Sequence, residues 1–239
     1  NWLKPAVAAA PRQSPPPESE AAMIAAAANQ DAVLQAWITG ATNLPMLLVA
    51  AQAFRYGLYY ECVMGLMTMA TSTAYHVCQS LDWHLLGFNE GRWHHMDNVF
   101  AITSLMAMIL GFAQLPAGSA ARELLNASSV SLAVVAQLMS PWDLRFTVGP
   151  LVAGLVAAVA AVAARRRLPH LDGRAGRWAL VFLAGAAACF AKGLDQTKDR
   201  LRLWHGGWHL FISGFCFFAL RAQNPGWGAK IEVAENKNA

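Results

Sequence analysis

Charge is what this chain has least of. Asp, Glu, Lys and Arg together make up 13% of its 239 residues, against roughly 25% in an ordinary soluble domain. Set beside a hydrophobic share of 56%, that shortage excludes an ordinary soluble domain and reads as a polytopic membrane protein. The formal net charge of +4 is too small to argue for nucleic acid as a partner. Cysteine is scarce as well. Cys62, Cys78, Cys189 and Cys216 lie in or at the ends of apolar runs, with no regular spacing and no loop framework, which excludes a disulfide scaffold. They read as small buried apolar residues, with Cys78, the one near the polar cluster below, a lesser candidate for a ligand. The C-terminal stretch carries no prenylation or retrieval signal.

Apolar length is what the chain has in abundance. Seven apolar segments follow one another at about 32–53, 57–78, 96–115, 121–139, 146–164, 176–193 and 203–220, near the roughly 20 residues that a membrane helix needs. The expected fold is therefore all-α, a seven-transmembrane-helix bundle over residues 32–220, with a flexible Ala-, Pro- and Ser-rich tail at 1–31 and a polar tail at 221–239. Links such as Arg55-Tyr56-Gly57 and Pro116-Ala117-Gly118 are short, which makes consecutive helices antiparallel neighbours. Pro45 should kink the first segment. The fifth segment, mostly Ala, Val and Gly from Gly149 to Ala164, should seek close helix contact rather than lipid. Arg165-Arg166-Arg167, with Arg174 and Arg177, mark the cytosolic side by the positive-inside rule, which puts the N-terminus outside and the C-terminus inside.

Against this background the polar exceptions carry the chemistry, because ionisable side chains inside a membrane are expensive and usually functional. The last segment opens with His205-Gly206-Gly207-Trp208-His209. Two imidazoles at this spacing share one face of a helix, one turn apart. Ser72 and His76 stand at the same spacing near the end of the second segment, and Asp97 heads the third. With antiparallel alternation, the end of segment two and the starts of segments three and seven lie at one membrane face. Ser72, His76, Asp97, His205 and His209 can then meet at one depth. His94 and His95 read as an interfacial loop surface, and Asp143, Arg145, Asp195, Lys198, Asp199, Arg200 and Arg202 as interfacial charges. A lone histidine in a membrane helix is more often a hydrogen-bonded packing residue than a ligand; the shared face of all five residues is what favours a metal.

Three neutral imidazoles and one water make an open tetrahedral zinc site, the arrangement of a catalytic metal. Zinc there would acidify the water and polarise a carbonyl. Asp97 is placed to orient a ligand, hold the water or act as general base, and Ser72 to hydrogen-bond Asp97 or a developing oxyanion. The reaction this suits is hydrolysis of an ester or amide in a lipid.

Ser72-x3-His76, an Asp heading the next segment and His205-x3-His209 in the seventh resemble the signature of the CREST superfamily. That group joins alkaline ceramidases, adiponectin-type receptors, GPI-remodelling acyl hydrolases and the myomaker/transmembrane-protein-8 family. Ser72-Thr-Ala-Tyr-His76-Val-Cys78, Asp97 before apolar residues, and the Trp-His around His209 are most similar to the myomaker-like branch. The resemblance spans roughly residues 32–220. It departs where Gln79-Ser80-Leu81 separate Cys78 from the next acidic residue, Asp82. It implies a seven-helix bundle with zinc (Zn2+) held by His76, His205 and His209, and with Ser72 and Asp97 beside it. Two functions fit: a zinc-dependent hydrolase of a lipid acyl ester or amide, or a non-enzymatic fusion factor, receptor or accessory subunit with structural zinc. Membrane lipids are the expected partners of the first, and other proteins of a membrane complex those of the second.

Overall fold

Side-chain caps and prolines divide the described residues into eight helices. The computed structural model describes residues 18–195 and 197–225, with side chains from Ala26 onward. The helices are α1 (Glu18–Asn43), α2 (Met46–Arg55), α3 (Tyr59–Leu81), α4 (Glu90–Gly111), α5 (Ala120–Met139), α6 (Leu144–Arg165), α7 (Gly173–Gly193) and α8 (Leu203–Gln223), with no strand among the described residues. Asn89, Ser119, Asp143 and Asp172 cap α4, α5, α6 and α7, each accepting from a backbone N–H of the first turn, which satisfies donors that the helix itself leaves free. The first expected segment is split between α1 and α2 at Leu44–Pro45, where proline has no N–H to give. The other six expected segments correspond to α3 through α8. Residues 18–31, expected as tail, are helical, and α8 runs on to Gln223. The rest of both expected tails, 1–17 and 226–239, lies outside the described residues.

Exposure is inverted relative to a soluble protein. Large apolar side chains face outward, among them Leu132, Val135 and Leu138 on α5, Val152, Val156 and Val159 on α6, and Leu180 and Val181 on α7. Thr39, Thr71, Ser72, His76, Thr103, Gln137, His209 and Ser213 are buried. Water would leave the outer surface unsatisfied, whereas lipid suits it. Three helical stretches are long and apolar enough to cross a membrane: Ala26–Arg55, Leu144–Arg165 and Gly173–Gly193. The other helices have inward faces that carry the hydroxyls, carboxylates and imidazoles, which lowers their mean hydropathy.

α4 and α8 hold the bundle together, α4 packing on α3, α5, α6 and α8, and α8 on α7, α1, α2 and α4. The main apolar core lies between α2, α4, α7 and α8, with Met46, Val49, Met108, Ala186, Ile212, Phe215 and Leu220 at its centre. The expectation for α6 is corrected. It is peripheral, and only the stripe Pro150, Gly154 and Ala158 is buried. Its β-branched residues stand on the other face, so small residues here mark one narrow seam against Met106 of α4 rather than a helix enclosed on all sides.

The α7–α8 contact is the tightest seam. A Cβ on Gly214 would come within 2.2 Å of the Phe182 ring, and one on Gly185 within 2.5 Å of Phe211. Gly214→Ala is therefore expected to destabilise the protein by about 1–3 kcal/mol. Gly149→Ala in α6, where nothing lies within 4 Å of the new Cβ, should be neutral or stabilise by up to about 1 kcal/mol. Thermal unfolding of the detergent-solubilised variants measures both, and equal melting temperatures for the pair would refute this account of the seam.

Candidate metal centre

His76 sits near the C-terminal end of α3, and His205 and His209 in the first two turns of α8. The α3–α8 pair touches little along its backbone; the imidazoles reach across the gap. Ring centroids are 4.6 Å apart for His76 and His205, 5.1 Å for His76 and His209, and 4.8 Å for His205 and His209. The Nε2 atoms of His76 and His205 are 3.0 Å apart, and one ring nitrogen from each of the three lies within 4.8 Å of the others. His76 and His209 are 2% and 5% exposed and His205 is half-buried, so the cluster is reached past His205.

The neighbours of His209 fix its tautomer. Thr42 Oγ1 on α1 lies 3.2 Å from His209 Nδ1 and 2.7 Å from the Ile38 carbonyl. A hydroxyl has one proton, and the short bond to Ile38 uses it, so Thr42 accepts from Nδ1–H. Nε2 then keeps its lone pair, the state a metal ligand needs, with Thr42 as the orienting partner. The glycines of the motif allow this approach. A Cβ on Gly206 would meet Ile38 and Thr42 at 3.1–3.3 Å, and one on Gly207 would meet Cys189 Sγ at 3.0 Å. Two glycines cost a helix about 1 kcal/mol each; here they let α1 and α7 close on the first turns of α8.

Asp199 delivers His205. Its carboxylate accepts from the backbone N–H of Trp204 at 3.1 Å and of His205 at 2.9 Å, which satisfies the free N-terminal donors of α8. The loop around it is tied down. Gln35 Nε2 donates to the Arg200 carbonyl at 2.7 Å, Arg200 Nε donates to Asp31 at 2.8 Å, and the Thr197 hydroxyl, with Lys198, holds the Asp195 carboxyl down at about 2. Asp199 is 3% exposed, so its expected place among interfacial charges is corrected: it is a buried cap. His94 is corrected likewise. It belongs to α4 rather than a loop, is 9% exposed, and stacks on Trp142 with centroids 3.6 Å apart.

Ser72, one turn before His76 on α3, and Asp97 of α4 touch each other and are not among the converging nitrogens. Ser72 Oγ accepts from Asn43 Nδ2 at 3.2 Å and lies against the Asp97 carboxyl. Asp97 is half-buried on α4, near its N-terminus. Cys78 packs with Ala74, Tyr75 and Trp93, away from the metal-capable group. Thr42, Asn43 and Asp199 escaped sequence reasoning. A hydroxyl or amide in a membrane helix carries no sign of its partner, and Asp199 stands in a charge-rich loop where any acid looks solvated. A cap signal, an acid ahead of an apolar run, was present at Asp199 and could have found it.

The donor set fits a metal. The Nε2 atoms of His76 and His205 face each other across 3.0 Å, where one proton at most can lie between them and a lone pair is left aimed into the space between the rings. Nitrogens around a tetrahedral zinc stand roughly 3.3 Å apart, close to the His76–His205 separation and reachable from the widest spacing by side-chain rotation. Thr42→Val, which takes the hydroxyl away from His209, keeps the shape and leaves the Thr39 carbonyl as the ring's remaining partner on α1, is expected to weaken metal binding about 10–100-fold. Thr42→Ser should keep it. Competition with a coloured chelator reads the affinity, and circular dichroism checks that the helices persist.

No curated protein matches the chain. A family model does, that of the protein of unknown function DUF3522, over residues 31–210. That range takes in α2 through α7, the second half of α1 and both histidines of α8, and the chain belongs to this family.

Proposed function

We propose that the chain is a seven-pass membrane protein whose His76, His205 and His209 hold zinc for the hydrolysis of an acyl ester or amide bond in a membrane lipid. The convergence of three imidazoles from α3 and α8 carries this reading, and the touching Ser72 hydroxyl and Asp97 carboxyl, Ser72 one turn before His76 on α3, support it. The outward apolar faces of α5, α6 and α7 support membrane placement, and the CREST resemblance supports the chemistry. On this reading α1 and α2 form one broken span, and the arginines after α6 face the cytosol.

When bound, zinc supplies Lewis acidity towards a carbonyl and acidifies water. The residues of the chain do the rest. Asp97 takes the proton of the attacking water on a carboxylate oxygen and passes it to the leaving alcohol or amine. Ser72, which accepts from Asn43, has its own proton free for Asp97 and fixes that carboxylate. Thr42 and Asp199 keep His209 and His205 turned towards the shared point.

The deep burial of His76 and His209 favours a second reading, in which the zinc ties α3 to α8 in a fusion factor, receptor or subunit of a membrane complex. Metal analysis and lipidomics separate the two. Purified protein is expected to carry about one zinc per chain. Asp97→Asn should retain the metal and lose turnover by a factor on the order of 10² or more, while His205→Ala loses both. A melting temperature that falls in His205→Ala with no lipid product from wild-type protein assigns the structural role. Folded protein that takes up no metal sinks both readings.

A further inference from the structure

A second polar centre lies at the opposite end of the bundle, where α3 and α5 begin and α4 and α8 end. Glu61, in the first turn of α3, pairs with Arg122 of α5 through Oε1 and Nη2, 2.5 Å apart. Glu61 is 5% exposed, and its second oxygen, Oε2, is buried with no hydrogen-bond partner. Both side chains line a cavity of about 290 Å³, together with Leu58, Leu110, Leu115 and Asn126. That volume is at the lower limit of small-ligand sites. The scaffold is firm. Gln223 Nε2 donates to the Met108 carbonyl at 2.7 Å, Gln114 Nε2 to the Gln223 carbonyl at 2.9 Å, and the Tyr60 hydroxyl to the Asn126 carbonyl at 3.3 Å.

We infer that this cavity binds a zwitterion bearing a primary ammonium and a phosphate, the ammonium on Glu61 Oε2 and the phosphate on the Arg122 guanidinium. A carboxylate oxygen only accepts, so its missing partner is an N–H or O–H donor. An arginine that spends one terminal nitrogen on Glu61 has further N–H groups suited to phosphate. A ligand of one sign would be repelled by one member of the pair; a zwitterion is opposed by neither. A quaternary ammonium has no N–H to give and is recognised by several aromatic faces, whereas Tyr56 is the one aromatic residue lining this cavity. The leucines give the site an apolar wall. A phospholipid headgroup and a free phosphomonoester share this chemistry. The inference is independent of the histidine centre, which lies at the other end of α3 and α8.

The test uses the full chain in nanodiscs of equal parts phosphatidylethanolamine and phosphatidylcholine, extracted gently and weighed by native mass spectrometry. Ethanolamine lipid is expected to be retained over choline lipid by on the order of tenfold, the worth of a hydrogen bond to a charged group. Equal retention overturns the inference. Glu61→Gln should abolish the preference; a folded Glu61→Gln protein that keeps it overturns the inference too. Since a broken buried pair can cost folding, Ala107→Leu, which fills the cavity from α4 and leaves the pair intact, is the second variant, and undiminished retention there is equally fatal. Phosphoethanolamine added to detergent-solubilised protein distinguishes the sources. A rise in melting temperature shows that the headgroup alone suffices, and a rise only with the intact lipid assigns the site to phospholipid. No rise with either overturns the proposal.

Discussion

Burying imidazole inside a bundle with an apolar exterior is the constraint on which the rest of the structure depends. His76 and His209 are nearly sealed from outside, with the half-buried His205 as the way in, so their polar atoms need partners within the protein or a ligand between the rings. The rings answer one another. Each of the three faces the other two at about one ring's distance, and the helices that carry them are arranged to permit this. α1 supplies Thr42, the glycines of α8 let α1 and α7 approach, and Asp199 holds the first turn of α8 in place. Without the cluster, α3 and α8 would have little in common, since their backbones hardly meet.

Much of this was legible as periodic apolar length. Apolar segments of about 20 residues announce long helices, and six of seven correspond to single observed helices. The shared depth of His76, Asp97 and His205 followed from alternation alone, since antiparallel order fixes which ends adjoin. What was not legible depends on facing. Val152, Val156 and Val159 look as fit for an interior as for lipid, and only packing shows that α6 turns them outward. His94 sits beside His95 in a polar stretch, yet a helix rotates neighbours by about 100°, and one of the pair is carried in against Trp142. Thr42 and Asn43 were hidden in an apolar run because a hydroxyl or amide acquires meaning only from the residue it touches, here more than a hundred positions away in the case of His209. The partnership of Glu61 and Arg122 is long-range in the same way.

α3 gives these two polar centres a common scale. Glu61 and His76 stand at its two ends, and a rise of 1.5 Å per residue separates them by about 22 Å along the axis. The hydrocarbon layer of a bilayer is about 30 Å thick. A helix centred in that layer therefore carries both residues a few ångströms below its boundaries, close to where a lipid's headgroup joins its acyl chains. Between them on α3, Thr68 answers Ser104 and Thr71 the Met67 carbonyl, whereas Thr103 of α4 and Ser213 of α8 keep buried hydroxyls without a partner among the described residues. Charge on α3 thus stops short of the helix's middle at both ends, which sets the imidazole cluster and the Glu61–Arg122 pair apart as two separate centres rather than parts of one continuous polar line.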